Sequence, residues 1–228
     1  HLARSADELS AKVRDQGLEL ADVFMQASTF EDRAANHPDA AERARGRDLF
    51  LRMLEFALRC NAHHLTGLPG VDWEGVPHDT SLKRAAEELS ERAAIARQVG
   101  VVYSVEAHMG SIVPNPAGAK TLIELSPGLT LTLDYTHFIR QGFSDADCEA
   151  LIPYAAHYHA RGAANGRIQA SMAANTIDFK RALQALAGVG YQGYMGVEYV
   201  WTEWERCNEV DNLSETVLLR DHLRALMA

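Results

Sequence analysis

The chain has 228 residues, enough for one large domain or two small ones, and its 47% hydrophobic and 23% charged composition argues against extended disorder. Lys and Arg number 22 against 31 Asp and Glu, giving a formal net charge of −9 with no basic block, a poor basis for gripping a phosphate backbone. No apolar run approaches the roughly 20 residues that cross a bilayer, no signal-peptide pattern is visible, and three widely spaced cysteines (Cys60, Cys148, Cys207) suit free thiols. No nucleic-acid or membrane partner and a cytoplasmic location are therefore expected.

Strand-like and helix-like segments alternate along the chain. SADELSAKVRDQG (5–17) predicts a first helix, with Ser5 and Glu8 as a capping box and Gly17 closing its end. LELADVF (18–24) reads as a short strand, and 40–59 as a helix with Phe50, Met53, Leu54, Ala57 and Leu58 on one stripe. AHHLTGL (62–68) predicts a strand ending in Pro69-Gly70. A helix over 81–98 follows, closed by Gly100. VVYSVEAH (101–108) is the third strand; a short helix at 116–125 leads to LTLTLDYTH (129–137). Ser144 and Asp147 cap a helix that stops near Pro153, and AAHYHARG (155–162) is the fifth strand. TIDFKRALQALAGVG holds a helix, with Asp178 at its start. GYMGVEYVW (193–201) is the sixth strand, and Ser214 to Met227 form a closing helix. Strand then helix, repeated six times, predicts βα units and a parallel sheet in one domain spanning 1–228. A doubly wound open sheet and a (β/α)8 barrel compete. No G-x-G-x-x-G follows the first strand, and the unusual residues sit at the C-terminal ends of several strands, where barrels place their chemistry.

Four strands end in groups of metal-ligand type: Glu106 with His108, Asp134 with His137, His157 with His159, and Glu198. Residues two apart on a strand share a face, so Glu106 and His108 point one way, as do His157, His159 and Arg161. A carboxylate inside an apolar strand is costly to bury unless it is paired or coordinated. Three carboxylates and an imidazole converging at a barrel mouth suit one divalent ion such as Mn²⁺, Mg²⁺ or Co²⁺, with Zn²⁺ admissible.

VEAHMGS (105–111), LTLDYTHF (131–138), HYHARGAANGRIQ (157–169), TIDF (176–179) and GYMGVEYV (193–200) resemble the xylose isomerase-like barrels of sugar isomerases and epimerases over nearly the whole chain. The superfamily includes ketose 3-epimerases, hydroxypyruvate isomerase, inosose dehydratase and endonuclease IV. The resemblance implies that Glu106, Asp134, His159 and Glu198 hold one divalent ion, with Glu106 and Glu198 also the acid and base. It implies a substrate-binding role for His137 and for an Arg after the metal His, a place for which Arg161 and Arg167 compete. It also implies pairing of barrel rims into a homodimer or homotetramer. Proton removal next to a carbonyl gives an enediolate; return on the opposite face is epimerisation, and return to the neighbouring carbon is isomerisation.

His108, His64 and Trp201 are further candidate substrate contacts, with Trp73 and Trp204 also placed after strands. His157 is expected as a hydrogen-bonded core residue, and Cys60 as inert packing. The expected function is a metal-dependent isomerase or epimerase of a small sugar or hydroxy-keto acid. The alternative is a dehydratase on the same scaffold; an endonuclease IV-like phosphodiesterase or a non-catalytic sugar-binding barrel fits less well. A closed barrel needs eight strands and typically runs to about 250 residues. In the family pattern the helix at 5–16 and LELADVF look like the second helix and third strand. The expectation is a trimmed or incompletely given chain, short of a first strand, helix and second strand, with His1 in place of an initiator Met.

Overall fold

A computed structural model describes residues 2–228. Among them, six parallel strands stand in chain order: β1 (Val23–Phe24), β2 (His64–Gly67), β3 (Val102–Glu106), β4 (Thr130–Asp134), β5 (Ala155–Ala160) and β6 (Met195–Val197). The helices are α1 (Leu2–Asp15), α2 (Ala40–Arg59), α3 (His78–Gln98), α4 (Pro116–Leu125), α5 (Thr136–Ile139), α6 (Asp145–Glu149), α7 (Phe179–Gly188) and α8 (Asn212–Met227). Consecutive neighbours with a helix at each crossover make this an α/β barrel wall, and its two edges, β1 and β6, are the shortest strands. The wall is curved. Across its concave side the Phe24 ring of β1 stacks near His159 of β5, with centroids 6.2 Å apart, and Tyr194 Oη, just before β6, donates to Glu19 Oε2 at 2.6 Å.

Alternation explains the layers. Leu65, Tyr103, Val105, Leu131, Leu133 and Tyr158 are at most 2% exposed and sit in the core cluster with helix residues such as Phe50, Leu89 and Leu122. Each such burial contributes about 1.5–3 kcal/mol. The intervening residues include His64, Thr66, Ser104, Glu106, Thr132, Asp134, His157 and His159, all buried and polar. These are the concave face, and they bond across strands: Thr66 Oγ1 to Thr132 Oγ1 at 2.6 Å, and Ser104 Oγ to Thr130 Oγ1 at 2.7 Å.

Several ends differ from the sequence expectation. α1 begins at Leu2, so Ser5 lies within it and not at a cap. β4 stops at Asp134, because the Asp134 carboxylate accepts from Thr136 N (2.8 Å) and Thr136 Oγ1 (2.7 Å) and turns the chain into α5. The Ser144–Asp147 capping box is present at α6, and Asp178 caps α7 by accepting from Arg181 N. No helix among the described residues is long and apolar enough to cross a membrane.

Candidate functional site

The strand ends deliver four ligand-type side chains to one point. One ligand atom each from Glu106, Asp134, His159 and Glu198 lies within 4.8 Å of all the others. His159 Nδ1 is 2.7 Å from Glu106 Oε1 and 3.4 Å from Glu198 Oε2. Arg161, two residues beyond His159 on the same face, donates from Nη2 to Asp134 Oδ2 at 2.8 Å and from Nε to Thr136 Oγ1 at 3.1 Å, and Nη2 stands 3.7 Å from Glu198 Oε2. His137, in the first turn of α5, has Nε2 3.7 Å from Glu106 Oε2 and 3.6 Å from Asp134 Oδ2.

Loops lock these groups in place. After β5, Tyr199 Oη accepts from Gly162 N and donates to Ala170 O, both at 3.0 Å. A Cβ on Gly162 would come within 2.7 Å of that hydroxyl and 2.5 Å of Ala170 O, so the close approach requires glycine. After β6, buried Gln169 accepts from Val200 N and donates to the carbonyls of Val200 and Cys207, fixing the segment that follows Glu198.

The electrostatics separate the two glutamates. Burial disfavours the Glu106 anion, yet the facing imidazoles of His137 and His159 hold its carboxyl well below the ordinary carboxylate range. Burial and the nearby Glu106 charge push Glu198 up to about 7, against the opposing pull of Arg161 and His159. Burial alone would lower His159, but the bond to Glu106 and the charges of Glu106, Glu198 and Asp134 raise it to about 9. Burial and the His137 charge bring His108 down to about 4, so its ring is neutral.

A divalent ion fits this donor set on two observations. Glu198 Oε2 is a buried oxygen with no hydrogen-bond partner among the described residues, and three carboxylates gathered within one 4.8 Å cluster repel unless a cation or protons neutralise them. Of the four ligand-type residues, Asp134 is buried against Arg161, and beside it Glu106, His159 and Glu198 line the floor of a cavity of about 810 Å³. Its walls include Phe24, Phe30, Leu68, Val200 and Trp204; Gln26, Ser28, Thr29 and Glu31 belong to the loop after β1. His108 Nε2 and both ring nitrogens of His137 are buried without a hydrogen-bond partner among the described residues, beside this cavity.

The remaining sequence candidates fall elsewhere. Arg167 lies outside the cavity and pairs with Glu209 at 3.1 Å, because the chain turns back at Ala164–Arg167 after the Gly162 contact. Trp201 is 68% exposed and does not line the cavity; Trp204 does, with its ring 6.3 Å from that of His137. His64 faces inward but one layer too deep, held by Asp22 Oδ1 and Ser104 Oγ at 2.7 Å each. His157, expected to be hydrogen bonded, has no such partner among the described residues and packs against the rings of His64 and His159. Phe24, Leu68 and Asp22 carry no chemical signature in the sequence, although Phe24 lies at a strand end and alternation puts Asp22 on its face.

Solved structures of the same fold include a D-psicose 3-epimerase with D-tagatose from Clostridium cellulolyticum H10, at 17% identity and TM-score 0.76, covering 98% of this chain and 84% of that one. The IolI protein with a bound zinc atom matches at 17% identity and TM-score 0.73, over 97% and 82% of the two chains. A family 2 AP endonuclease from Brucella melitensis matches at 20% identity and TM-score 0.67, over 85% and 77%. Comparison with the sequences of curated proteins gives no match. The model of the xylose isomerase-like TIM barrels matches residues 2–225, nearly the whole chain, and the protein belongs to that family.

Proposed function

We propose that the protein is a divalent-metal-dependent isomerase or epimerase acting on a small, unphosphorylated sugar or hydroxy-keto acid. The observation that carries this reading is the convergence of Glu106, Asp134, His159 and Glu198 within 4.8 Å, three of them lining the cavity floor. Those four residues would hold the ion. When bound, such an ion supplies Lewis acidity against negative charge developing on substrate oxygens. The epimerase and zinc-bearing IolI structures that share the fold accord with this chemistry.

The chain's own residues account for the proton movements. Enediolate chemistry needs a carboxylate to take a proton next to a carbonyl and a second group to return one. Before an ion binds, Glu106 is held ionised and Glu198 is poised at about 7, so the two carboxyls are already unequal, as an acceptor and a donor of the proton need to be. The unpartnered nitrogens of His137 and His108 offer hydrogen bonds to hydroxyl or carbonyl oxygens of a polyhydroxylated ligand. Apolar walls at Phe24, Leu68 and Trp204 suit the C–H faces of a sugar and exclude water. Arg161 is occupied by Asp134 and Thr136, and Glu31 stands at the cavity, which disfavours a phosphoryl group.

Deuterium incorporation tests the reading. Candidate ketoses and hydroxy-keto acids incubated in D₂O with Mn²⁺ should take up deuterium at a carbon next to the carbonyl, and Glu198→Gln should abolish uptake. Product analysis then separates epimerisation, isomerisation and dehydration. Uptake by Glu198→Gln at the wild-type rate would overturn the assignment of the acid/base pair.

A further inference from the structure

Beneath the carboxylate cluster lies a second group of metal-ligating type, of which the proposed reaction uses only His159. Ligand atoms of Asp22, His157 and His159 also lie within 4.8 Å of one another. His157 precedes His159 by two residues on β5, so it projects from the same face one step deeper. Neither new member is a solvated surface group: His157 is 3% exposed and the Asp22 side chain 10%.

Three features point to a ligand there. First, the Asp22 carboxylate is oriented by a ring that is itself oriented. His64 Nδ1 lies 2.7 Å from Asp22 Oδ1, His64 Nε2 lies 2.7 Å from Ser104 Oγ, and that hydroxyl bonds Thr130 Oγ1 at 2.7 Å. Such chains of outer partners hold metal ligands in position. Second, the His157 ring is fixed between neighbours yet has no hydrogen-bond partner among the described residues. Its centroid lies 5.1 Å from that of His64, stacked, and 5.1 Å from that of His159, edge-on. A ring 3% exposed that makes no hydrogen bond to the described residues keeps a nitrogen lone pair open to a ligand. Third, β6 presents Gly196 to the His157 ring: a Cβ there would stand 3.3 Å from His157 Nε2 and 3.5 Å from His159 Cδ2. Any side chain at 196 would crowd His157 Nε2, and glycine leaves that nitrogen accessible.

We propose that Asp22, His157 and His159 form a second divalent-cation site, one layer below the first and selective for a borderline ion such as Zn²⁺ or Co²⁺. Two imidazoles and one carboxylate favour these ions over Mg²⁺ or Ca²⁺, whereas the upper set, with three carboxylates, accepts harder ones. The lower set supplies one carboxylate against three and shares His159, which serves two ions only as an imidazolate, one ring nitrogen to each and the ring proton released to solvent, so its ion binds the more weakly, by roughly tenfold or more. This inference concerns the interior below the reacting groups and goes beyond the proposed reaction.

The test uses the full chain, stripped with chelator and titrated with Co²⁺ alone, followed by visible absorption and by anomalous diffraction at the cobalt edge. Wild type should take up two equivalents, the second the weaker. Asp22→Asn, His157→Gln and Gly196→Ala should each retain the first equivalent and lose the second; Gly196→Ala alters no ligand and keeps the test open should a ligand variant fold poorly. Saturation at one equivalent that lies at the upper set, or a second equivalent that survives in both His157→Gln and Gly196→Ala, would overturn the proposal. Anomalous density at the upper set alone refutes the second site and leaves the proposed function standing. Density at the lower set alone supports the second site and removes the metal from the proposed function.

Discussion

Arg161→Met isolates the electrostatic task of the buried guanidinium. The Arg161 side chain is 4% exposed and that of Asp134 is 0% exposed, and the two meet at 2.8 Å. Met fills much of the same space, so the substitution removes mainly charge and hydrogen bonds. Removing one partner of a buried ion pair costs roughly 3–5 kcal/mol, because the other charge is left without compensation. Asp134 keeps its two hydrogen bonds from Thr136, which places the expected loss at the low end, about 3 kcal/mol. For a chain of this length each kcal/mol moves Tm by roughly 2–4 °C, so Tm should fall by roughly 6–12 °C in chelator. A divalent ion held by Glu106, Asp134, His159 and Glu198 would supply the same counter-charge, so the deficit should shrink markedly in saturating Mn²⁺. Scanning calorimetry of wild type and variant in EDTA and in Mn²⁺ gives the four values needed. An equal deficit in both buffers would refute the coupling and reduce Arg161 to packing, and no deficit in either would refute the ion-pair argument itself.

Three further outcomes are expected. Glu198 at about 7 and His159 at about 9 both bind protons more tightly folded than unfolded, so their contributions are complete in acid and fade as pH rises, Glu198's from 4.5 to about 7 and His159's from 6.5 to about 9. The His159 rise corresponds to about 3 kcal/mol, so Tm of chelated protein should fall between pH 6.5 and 9, less so in His159→Gln; a flat profile contradicts the burial-plus-carboxylate account. Trp204→Ala should raise KM for a deuterium-exchanging sugar severalfold, whereas Trp201→Ala, at a 68% exposed position, should leave it unchanged; equal effects would mean that Trp204 is only wall. Arg140→Gln should mimic Trp204→Ala in KM with little change in kcat, since Arg140 holds Glu205 at 2.7 Å in a turn whose residues 205 and 206 have φ of 52° and 61°; a matched fall in kcat would point instead to damage on the cavity floor.

The strands are legible because their two faces carry different chemistry. Leu65, Tyr103, Val105, Leu131, Leu133 and Tyr158 face the helices, and the residues between them are polar and equally buried, a combination that only a barrel interior accommodates. Element ends are less legible, since they turn on single side chains. Thr130 to His137 reads as one β-rich run, yet the Asp134 carboxylate captures Thr136 and converts the last residues to helix. β1 and β6 are shorter than the apolar runs that contain them because each has a pairing partner on one side only among the described strands.

The acid order Glu106, Asp134, Glu198 was readable because a carboxylate at the buried end of an apolar strand has no packing reason to be there. Alternation carries that logic two residues past His159 to Arg161, but no further: the Gly162–Tyr199 contact and the turn at 164–167 break the strand geometry, and Arg167 is carried to the surface. Depth is the harder quantity. His64 is inward by parity, yet its register partner is Val102, four residues before Glu106, and this sets it below the floor and beside Asp22. The same count puts His157 beneath His159. The concave face is thus graded, carboxylate-rich at the cavity and imidazole-rich underneath, and His159 is the one residue whose ring belongs to both layers. A substitution at His159 should therefore disturb the chemistry of the cavity floor and of the layer below together, whereas substitutions at Glu198 and at His157 should each disturb one alone.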